Sequence, residues 1–185
     1  MNGARAAALN FILSHIEFGG KVLDIGAGDS PLAHMLTKRQ CKVLAIDTNA
    51  ERLREAWEKA NRSYEICVKD ARYIWNPGEY DFVLSVYAIQ HMIPYEPLIW
   101  VKIREALKLG GKFLIVGRYQ VDAPQYEPRE DPLIGANEQT IGTLAMLTGF
   151  AIEHFWHYMY RDGDNDMERV VDGPCNAFGA ELEAV

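Results

Sequence analysis

The sequence predicts an α/β fold, a three-layer sandwich whose mostly parallel, seven-stranded sheet carries helices on both faces and an antiparallel C-terminal hairpin. Three observations predict it. Short apolar runs that hardly alternate recur along the chain, as strands buried on both faces require. Segments with helical spacing separate them, each long enough for a right-handed βαβ crossover. The first strand, Lys21 to Ile25, leaves through Gly26-Ala27-Gly28 and runs into Ser30-Pro31. Two glycines one apart admit positive φ and let a ligand approach without meeting a Cβ. Ser30 as N-cap and Pro31 at the first helical position would aim the free N–H groups of the next helix into the same crevice.

The elements follow in order. From Ala4 to Phe18, Leu9, Ile12, Leu13 and Ile16 recur at helical spacing until Gly19-Gly20 stops them. After the first strand come a helix from Pro31 to about Arg39, a second strand from Lys42 to Ile46 ending in Asp47, and a helix from about Ala50 to Ala60. That helix sets Leu53, Ala56, Trp57 and Ala60 against a charged, solvated face. Tyr64 to Val68 reads as the third strand and Tyr80 to Val86 as the fourth. The next helix, rich in Leu98, Val101, Ile103 and Leu107, is expected to stop at Gly110-Gly111, before a fifth strand from Lys112 to Val116. Arg118 to Asn137 has three prolines and no periodicity, and reads as a long functional or mobile loop. A helix from Glu138 to Leu147 and a strand from Phe150 to about Tyr160 follow. Asp162 to Asp166 reads as a hairpin turn, and part of Met167 to Val185 returns as the last strand.

Composition narrows the function. A chain of 185 residues suits a single domain spanning 1–185. Its 19 basic and 26 acidic residues give a net charge of −7, which argues against a nucleic-acid backbone or anionic membrane as the main partner. No apolar run approaches a membrane span, and the N-terminal stretch lacks the apolar core of a signal peptide. Cys41, Cys67 and Cys175 are far apart without CxxC spacing and read as reduced thiols, so the expected compartment is the cytoplasm. Oligomeric state leaves no mark on the sequence.

In an open parallel sheet, ligands bind beyond the carboxyl ends of the strands. The polar residues gather there: Asp24 near the end of the first strand, Asp47 after the second, Asp70 after the third, and Ser85-Val86-Tyr87 at the fourth. A single aspartate at such a place is ordinarily a turn residue or helix cap. Carboxylates at successive strand ends beside a glycine turn point instead to a ligand. Asp47 follows that turn at about the separation, roughly 20 residues, at which an acidic residue accepts both hydroxyls of a ribose.

These segments resemble the class I (Rossmann-like) S-adenosylmethionine-dependent methyltransferases. VLDIGAGDSPLA is similar to their first motif, AID ending at Asp47 to the second, KDA to the third, YDFVLSVYAIQHM to the fourth, and LKLGGKFLIVG to the fifth and sixth. Ser30 stands where many members have a third glycine. The resemblance implies that S-adenosyl-L-methionine is bound by Asp24, Gly26, Ala27, Gly28, Asp47, Thr48, Asp70, Ala71, Ser85 and Tyr87. Within that set, the turn would seat the methionine part, Asp24 would help hold its ammonium, Asp47 the ribose hydroxyls, and Asp70 with the Ala71 N–H the adenine. Ser85 and Tyr87 would lie near the reactive methyl. The implied reaction is methyl transfer to an O or N atom of a small molecule, in which alignment is much of the enzyme's task. His91 is the candidate general base, since imidazole titrates near neutrality, and Tyr87 is the second candidate catalytic group. Tyr119, Tyr126 and Arg129 would cover an aromatic or anionic acceptor.

Other signals fail on geometry. His154 and His157, three apart in a strand, point to opposite faces and cannot share a metal. Asp162, Asp164 and Asp166 imitate an EF-hand opening, but Met167 replaces the required glycine and Gly173 the twelfth-position ligand; no metal is expected. Asn76 to Tyr80 resembles the NPPY box of amino-group methyltransferases yet precedes the fourth strand, and SVYA occupies the place of that box. A nicotinamide dehydrogenase lacks support without the third glycine of GxGxxG. The competing readings are a catalytically idle cofactor-binding or scaffold protein and an RNA or protein methyltransferase.

Overall fold

The computed structural model describes residues 3–16, 18–74, 76–91, 96–118, 137–159, 168–170 and 177–185. Along the chain run α1 (Gly3–His15), β1 (Lys21–Ile25), α2 (Leu32–Thr37), β2 (Lys42–Asp47), α3 (Ala50–Lys59), β3 (Glu65–Val68), β4 (Tyr80–Val86), α4 (Glu96–Ala106), β5 (Leu107–Arg118), α5 (Glu138–Thr148), β6 (Phe150–Met159), β7 (Glu168–Val170) and β8 (Ala177–Ala184). The strands form one sheet in the order β3-β2-β1-β4-β5-β8-β6-β7. The seven expected strands are present, and β7, a three-residue strand pairing Glu168–Val170 with the outer edge of β6, adds an eighth. β1 to β5 pair in parallel, whereas β8 lies antiparallel between β5 and β6. The expected C-terminal hairpin therefore inserts its last strand into the sheet.

Strand pleat divides the core in two. Leu23, Ile25, Val83, Phe113 and Ile115 face one way, into a cluster with Trp100 and Ile103 of α4 and Ile141 and Leu144 of α5. Val22, Leu84, Leu114 and Val116 face the other, against Leu9 and Ile12 of α1, Leu32 and Leu36 of α2, and Leu53 of α3. β1 pairs with β2 on one side and β4 on the other. The chain order reverses at this point, which opens a crevice beyond the carboxyl ends of these strands.

Several boundaries differ from the sequence reading, most of them by one to three residues; α1, for example, ends at His15 rather than Phe18, and the largest shift is at the junction of α4 and β5. α4 ends at Ala106, and Leu107 already belongs to β5, paired with Tyr80. The run Lys108 to Gly111 is a bulge, since the ladder resumes at Phe82 with Lys112. Gly110 (φ 73°) and Gly111 serve that bulge rather than a helix end; a Cβ at Gly111 would lie 2.9 Å from the Lys108 carbonyl oxygen. Leu98 and Val101 are exposed, and the buried stripe of α4 is Ile99, Trp100, Ile103 and Ala106. The helix after the glycine turn is assigned from Leu32 with Pro31 in the cap position, one residue later than expected. Ser30 is therefore not the N-cap, although its Oγ accepts from the Leu32 N–H at 3.2 Å, one residue before the cap. Most of the 118–137 loop, with Tyr119, Tyr126 and Arg129, lies outside the described residues, as do the Asp162 to Asp166 turn and Cys175.

The same substitution at two glycines should have opposite signs. Gly179 on β8 lies under the Phe11 ring, and a Cβ there would meet Phe11 Cζ at 2.7 Å. Gly179→Ala is expected to cost about 1–3 kcal/mol through overpacking. Gly142, inside α5, leaves room, with its nearest neighbour Ile152 Cδ1 at 3.8 Å; Gly142→Ala should stabilise by about 0.5–1 kcal/mol. Thermal unfolding checks both, at roughly 2–4 °C in Tm per kcal/mol for a chain of this size.

Candidate active site

The turn after β1 is held by its neighbour strand. Gly26 and Gly28 adopt φ of 70° and 52°, which a side chain would strain. The Gly26 and Ala27 N–H groups donate to the Ile46 carbonyl at 2.9 and 3.1 Å. Gly28 N–H donates to Asp47 Oδ2 at 2.8 Å, and Asn49 N–H donates to Asp47 Oδ1 at 2.7 Å. One carboxylate thus ties the turn after β1 to the turn after β2. Asn49 then caps α3, its side chain accepting from the Arg52 N–H at 3.1 Å. Thr48 lies exposed between them. The Arg52 guanidinium reaches back over Gly28: it pairs with Asp29 at 2.7 Å, and a Cβ at Gly28 would meet its Nη2 at 3.4 Å and Asp47 Oδ2 at 3.7 Å. The bond from Asp29 and then its charge, with the charge of Asp47 beyond, raise the affinity of Arg52 for its proton.

Two further carboxylates stand on the same crevice. Asp24, one residue before the end of β1, is 2% exposed on the α1 side of the sheet. Burial, and then the negative charge of Asp24, push the Tyr64 hydroxyl up. Asp70 follows β3 and opens the short 3-10 turn Ala71–Tyr73. Arg72 grips it: Nε donates to both carboxylate oxygens at 3.0 Å, Nη2 to Oδ2 at 2.7 Å, and the Arg72 N–H to Oδ1 at 2.8 Å. The Arg72 hydrogen bonds hold the Asp70 carboxyl below the usual range. Arg72 also lies over the Tyr73 ring, 5.6 Å from its centroid.

The end of β4 completes the crevice. Ser85 is fully buried, and its Oγ accepts from the Ile89 N–H at 3.0 Å. Tyr87 takes φ of 52°, a left-handed conformation that costs a residue with a Cβ about 1–2 kcal/mol. Its N–H donates to the Val116 carbonyl of β5 at 2.8 Å, which fixes the residue at the strand ends. His91 closes the short 3-10 turn Ile89–His91 and is exposed.

The structure therefore brings together Asp24, Gly26, Ala27, Gly28, Asp47, Thr48, Asp70, Ala71, Ser85 and Tyr87 at the carboxyl ends of four adjacent strands. Sequence reasoning missed Arg52 and Arg72, which partner carboxylates at the crevice. Arg72, two residues after Asp70, was the one detectable from spacing. The set of acceptors suits a ligand with an ammonium group and hydroxyls, since carboxylates accept from both. A backbone cradle that any Cβ would fill suits close approach by the same ligand. Among the described residues no cluster of His, Cys, Asp or Glu could hold a metal ion. The predicted separation of His154 and His157 holds: His154 stacks on Trp156 at 5.0 Å, while His157 packs on Phe155, on the other face of β6. No described helix is long and apolar enough to cross a membrane.

The chain is similar to known proteins in sequence and in fold. Residues 23–115, half of the chain, match the family model described as a methyltransferase domain. A ubiquinone biosynthesis O-methyltransferase from Idiomarina loihiensis is 30% identical over 111 residues, covering 56% of this chain and 45% of that protein. The chain thus spans about half the length of this curated relative. A SAM-dependent methyltransferase from Aquifex aeolicus superposes with a TM-score of 0.72 at 18% identity, covering 98% of this chain and 92% of that one. A 1,6-didemethyltoxoflavin-N1-methyltransferase from Burkholderia thailandensis, solved with 1,6-didemethyltoxoflavin and S-adenosylhomocysteine, gives a TM-score of 0.76 at 14% identity, covering 97% and 77% of the two chains. With the matching family model over half of its length and the shared fold, the chain belongs to the methyltransferase-domain family, the Rossmann-like S-adenosylmethionine-dependent methyltransferases of class I.

Proposed function

We propose that this chain transfers a methyl group from S-adenosylmethionine to an oxygen or nitrogen of a small molecule. The observation that carries the reading is the row of Asp24, Asp47 and Asp70 at the ends of β1, β2 and β3 around a turn with two positive-φ glycines. The Idiomarina and Burkholderia relatives, an O- and an N-methyltransferase by name, support a small-molecule acceptor. Residues 1–185 act as one domain in this reading, in a reducing, cytoplasmic setting that suits the free thiols of Cys41 and Cys67.

The cofactor supplies an activated methyl on a sulfonium, so the protein's task is binding and alignment. The turn Gly26 to Gly28 seats the methionyl part, with Asp24 drawing in its ammonium. Asp47 has used one lone pair on each oxygen for Gly28 and Asn49 and keeps acceptor capacity for the ribose hydroxyls. Thr48 lies beside it at the ribose. Asp70, kept anionic by Arg72, and the Ala71 N–H meet the adenine edge. Ser85 and Tyr87 border the reacting atoms, and His91 takes the acceptor's proton when the nucleophile must lose one early.

Calorimetric titration with S-adenosylmethionine and S-adenosylhomocysteine tests the cofactor, with NAD as control; binding of NAD alone would sink the reading. Asp47→Ala should weaken cofactor affinity about 10–100-fold, the worth of charged hydrogen bonds, and unchanged affinity removes Asp47 from the site. His91→Ala should lower kcat at least tenfold, with cofactor Kd nearly intact. Loss of binding instead would make His91 a pocket residue. Tyr87→Asn keeps a residue that tolerates left-handed φ and should lower kcat while sparing the Kd for S-adenosylhomocysteine; an unaltered kcat would show that the Tyr87 ring does not touch the reacting atoms.

A further inference from the structure

Charge is unevenly distributed along the carboxyl edge of the sheet. On the side of β1 to β3 stand Asp24, Asp47 and Asp70, and the two arginines among them are committed, Arg52 to Asp29 and Arg72 to Asp70. Across β4 the charged residue described at the strand end is a cation. Arg118, the last residue of β5, is exposed, and its side chain makes no hydrogen bond or ion pair with a described residue.

The sheet register fixes which way Arg118 projects. Val86 pairs with Val116, Val116 with Gly179, and Gly179 with Trp156, so the four share a face; the Cβ direction of Gly179 meets Phe11 of α1, which identifies it as the α1 face. Two residues further on, Arg118 pairs with Ala177 and Ala177 with Tyr158, and this row points the same way. Its members lie about 7 Å beyond Val116 along the strands, and the N–H of Tyr87 is bound to the Val116 carbonyl. Arg118 and Tyr158 thus flank the buried Ala177 roughly 10 Å apart, two strand spacings. Tyr158 is edge-on to Phe11, with centroids 5.8 Å apart, which continues an aromatic ladder to the rim.

We infer that the methyl acceptor is an aromatic acid and that Arg118 holds its carboxylate, with the ring towards Tyr158 and the nucleophile towards Tyr87; the inference rests on the methyltransferase reading above. A guanidinium is charged at every working pH, and its planar fork matches a carboxylate with two parallel hydrogen bonds. Anchoring the acid at the end of β5 leaves a rigid ring one way to span to the strand-end crevice, which orients the nucleophile. The two substrates are then sorted by charge. The cationic cofactor is drawn to the carboxylates beyond β1 to β3, and the anionic acceptor to the arginine beyond β5.

The test uses the full chain and matched probes, a set of hydroxybenzoates and hydroxycinnamates with their carboxamides. Each probe is titrated calorimetrically into the protein saturated with S-adenosylhomocysteine and assayed for methyl transfer with S-adenosylmethionine. At least one acid should bind and react about 10–100-fold better than its amide, the worth of a paired charge. Arg118→Gln should erase that preference while leaving the amide's kcat/KM and the cofactor Kd unchanged, and Arg118→Lys should restore part of it. Acids and amides treated alike by the wild-type chain, or no probe bound to the S-adenosylhomocysteine complex, overturns the inference. An equal loss on acid and amide in Arg118→Gln overturns it as well. Failure of S-adenosylhomocysteine itself to bind overturns the methyltransferase reading instead, so the two failures are distinguishable.

Discussion

The Asp47 carboxylate is the constraint on which the crevice depends. Parallel pairing of Ile25 with Ile46 brings the ends of β1 and β2 level, and the chain must then turn sharply twice within one small volume. Each turn leaves an N–H that needs an acceptor where no strand continues. Asp47 supplies both, one oxygen to Gly28 and the other to Asn49, and through Asn49 it also fixes the start of α3. The carboxylate to which the proposed function gives the ribose diol is thus already locked by the backbone on either side of it. Such preorganisation removes rotamer entropy from the cost of binding.

The arginines give the crevice its second property. Anionic side chains gathered in a small volume repel one another and raise one another's pKa unless a cation intervenes. Arg52 between Asp29 and Asp47, and Arg72 on both oxygens of Asp70, relieve that repulsion without burying an unpaired charge. The Arg72 bonds favour the ionised form of Asp70. The Arg52–Asp29 pair is largely exposed and adds little to global stability; the Arg72–Asp70 pair is partly buried.

Most of the sheet could be read from the residues because its strands are buried on both faces, and burial leaves unbroken apolar runs such as Val22-Leu23 and Val83-Leu84. The glycine turn and the strand-end carboxylates were visible for the same reason, as polar interruptions of apolar text. The α4–β5 junction was not. Leu107-Lys108-Leu109 fits the end of a helical stripe as well as the start of a strand, and only the pairing of Leu107 with Tyr80 decides between them. The Arg52–Asp29 pair spans two turns that local pattern cannot bring together. Left-handed Tyr87 was hidden too, since a tyrosine carries no local preference for that backbone and the conformation is imposed by the bond to Val116. Arg118 read as the first residue of a loop because the alternation that fixes its face depends on β8, some sixty residues away.

The insertion of β8 between β5 and β6 also bears on how the molecule is made. Both of its neighbours precede it in the chain, and both leave an edge bare until residues 177–184 arrive. The crevice strands β1 to β5 can pair as they emerge, with short-range crossovers between them, whereas the native neighbour through which β6 joins the sheet, β8, comes last. Until β8 is in place, the native-pairing edges of β5 and β6 are unsatisfied, the kind of surface to which neighbouring chains attach. Glu181 and Glu183, on the strand that fills the gap, and Lys112, on the strand it joins, set charges at that seam. They discourage a foreign apolar strand from taking the place of β8 before it arrives.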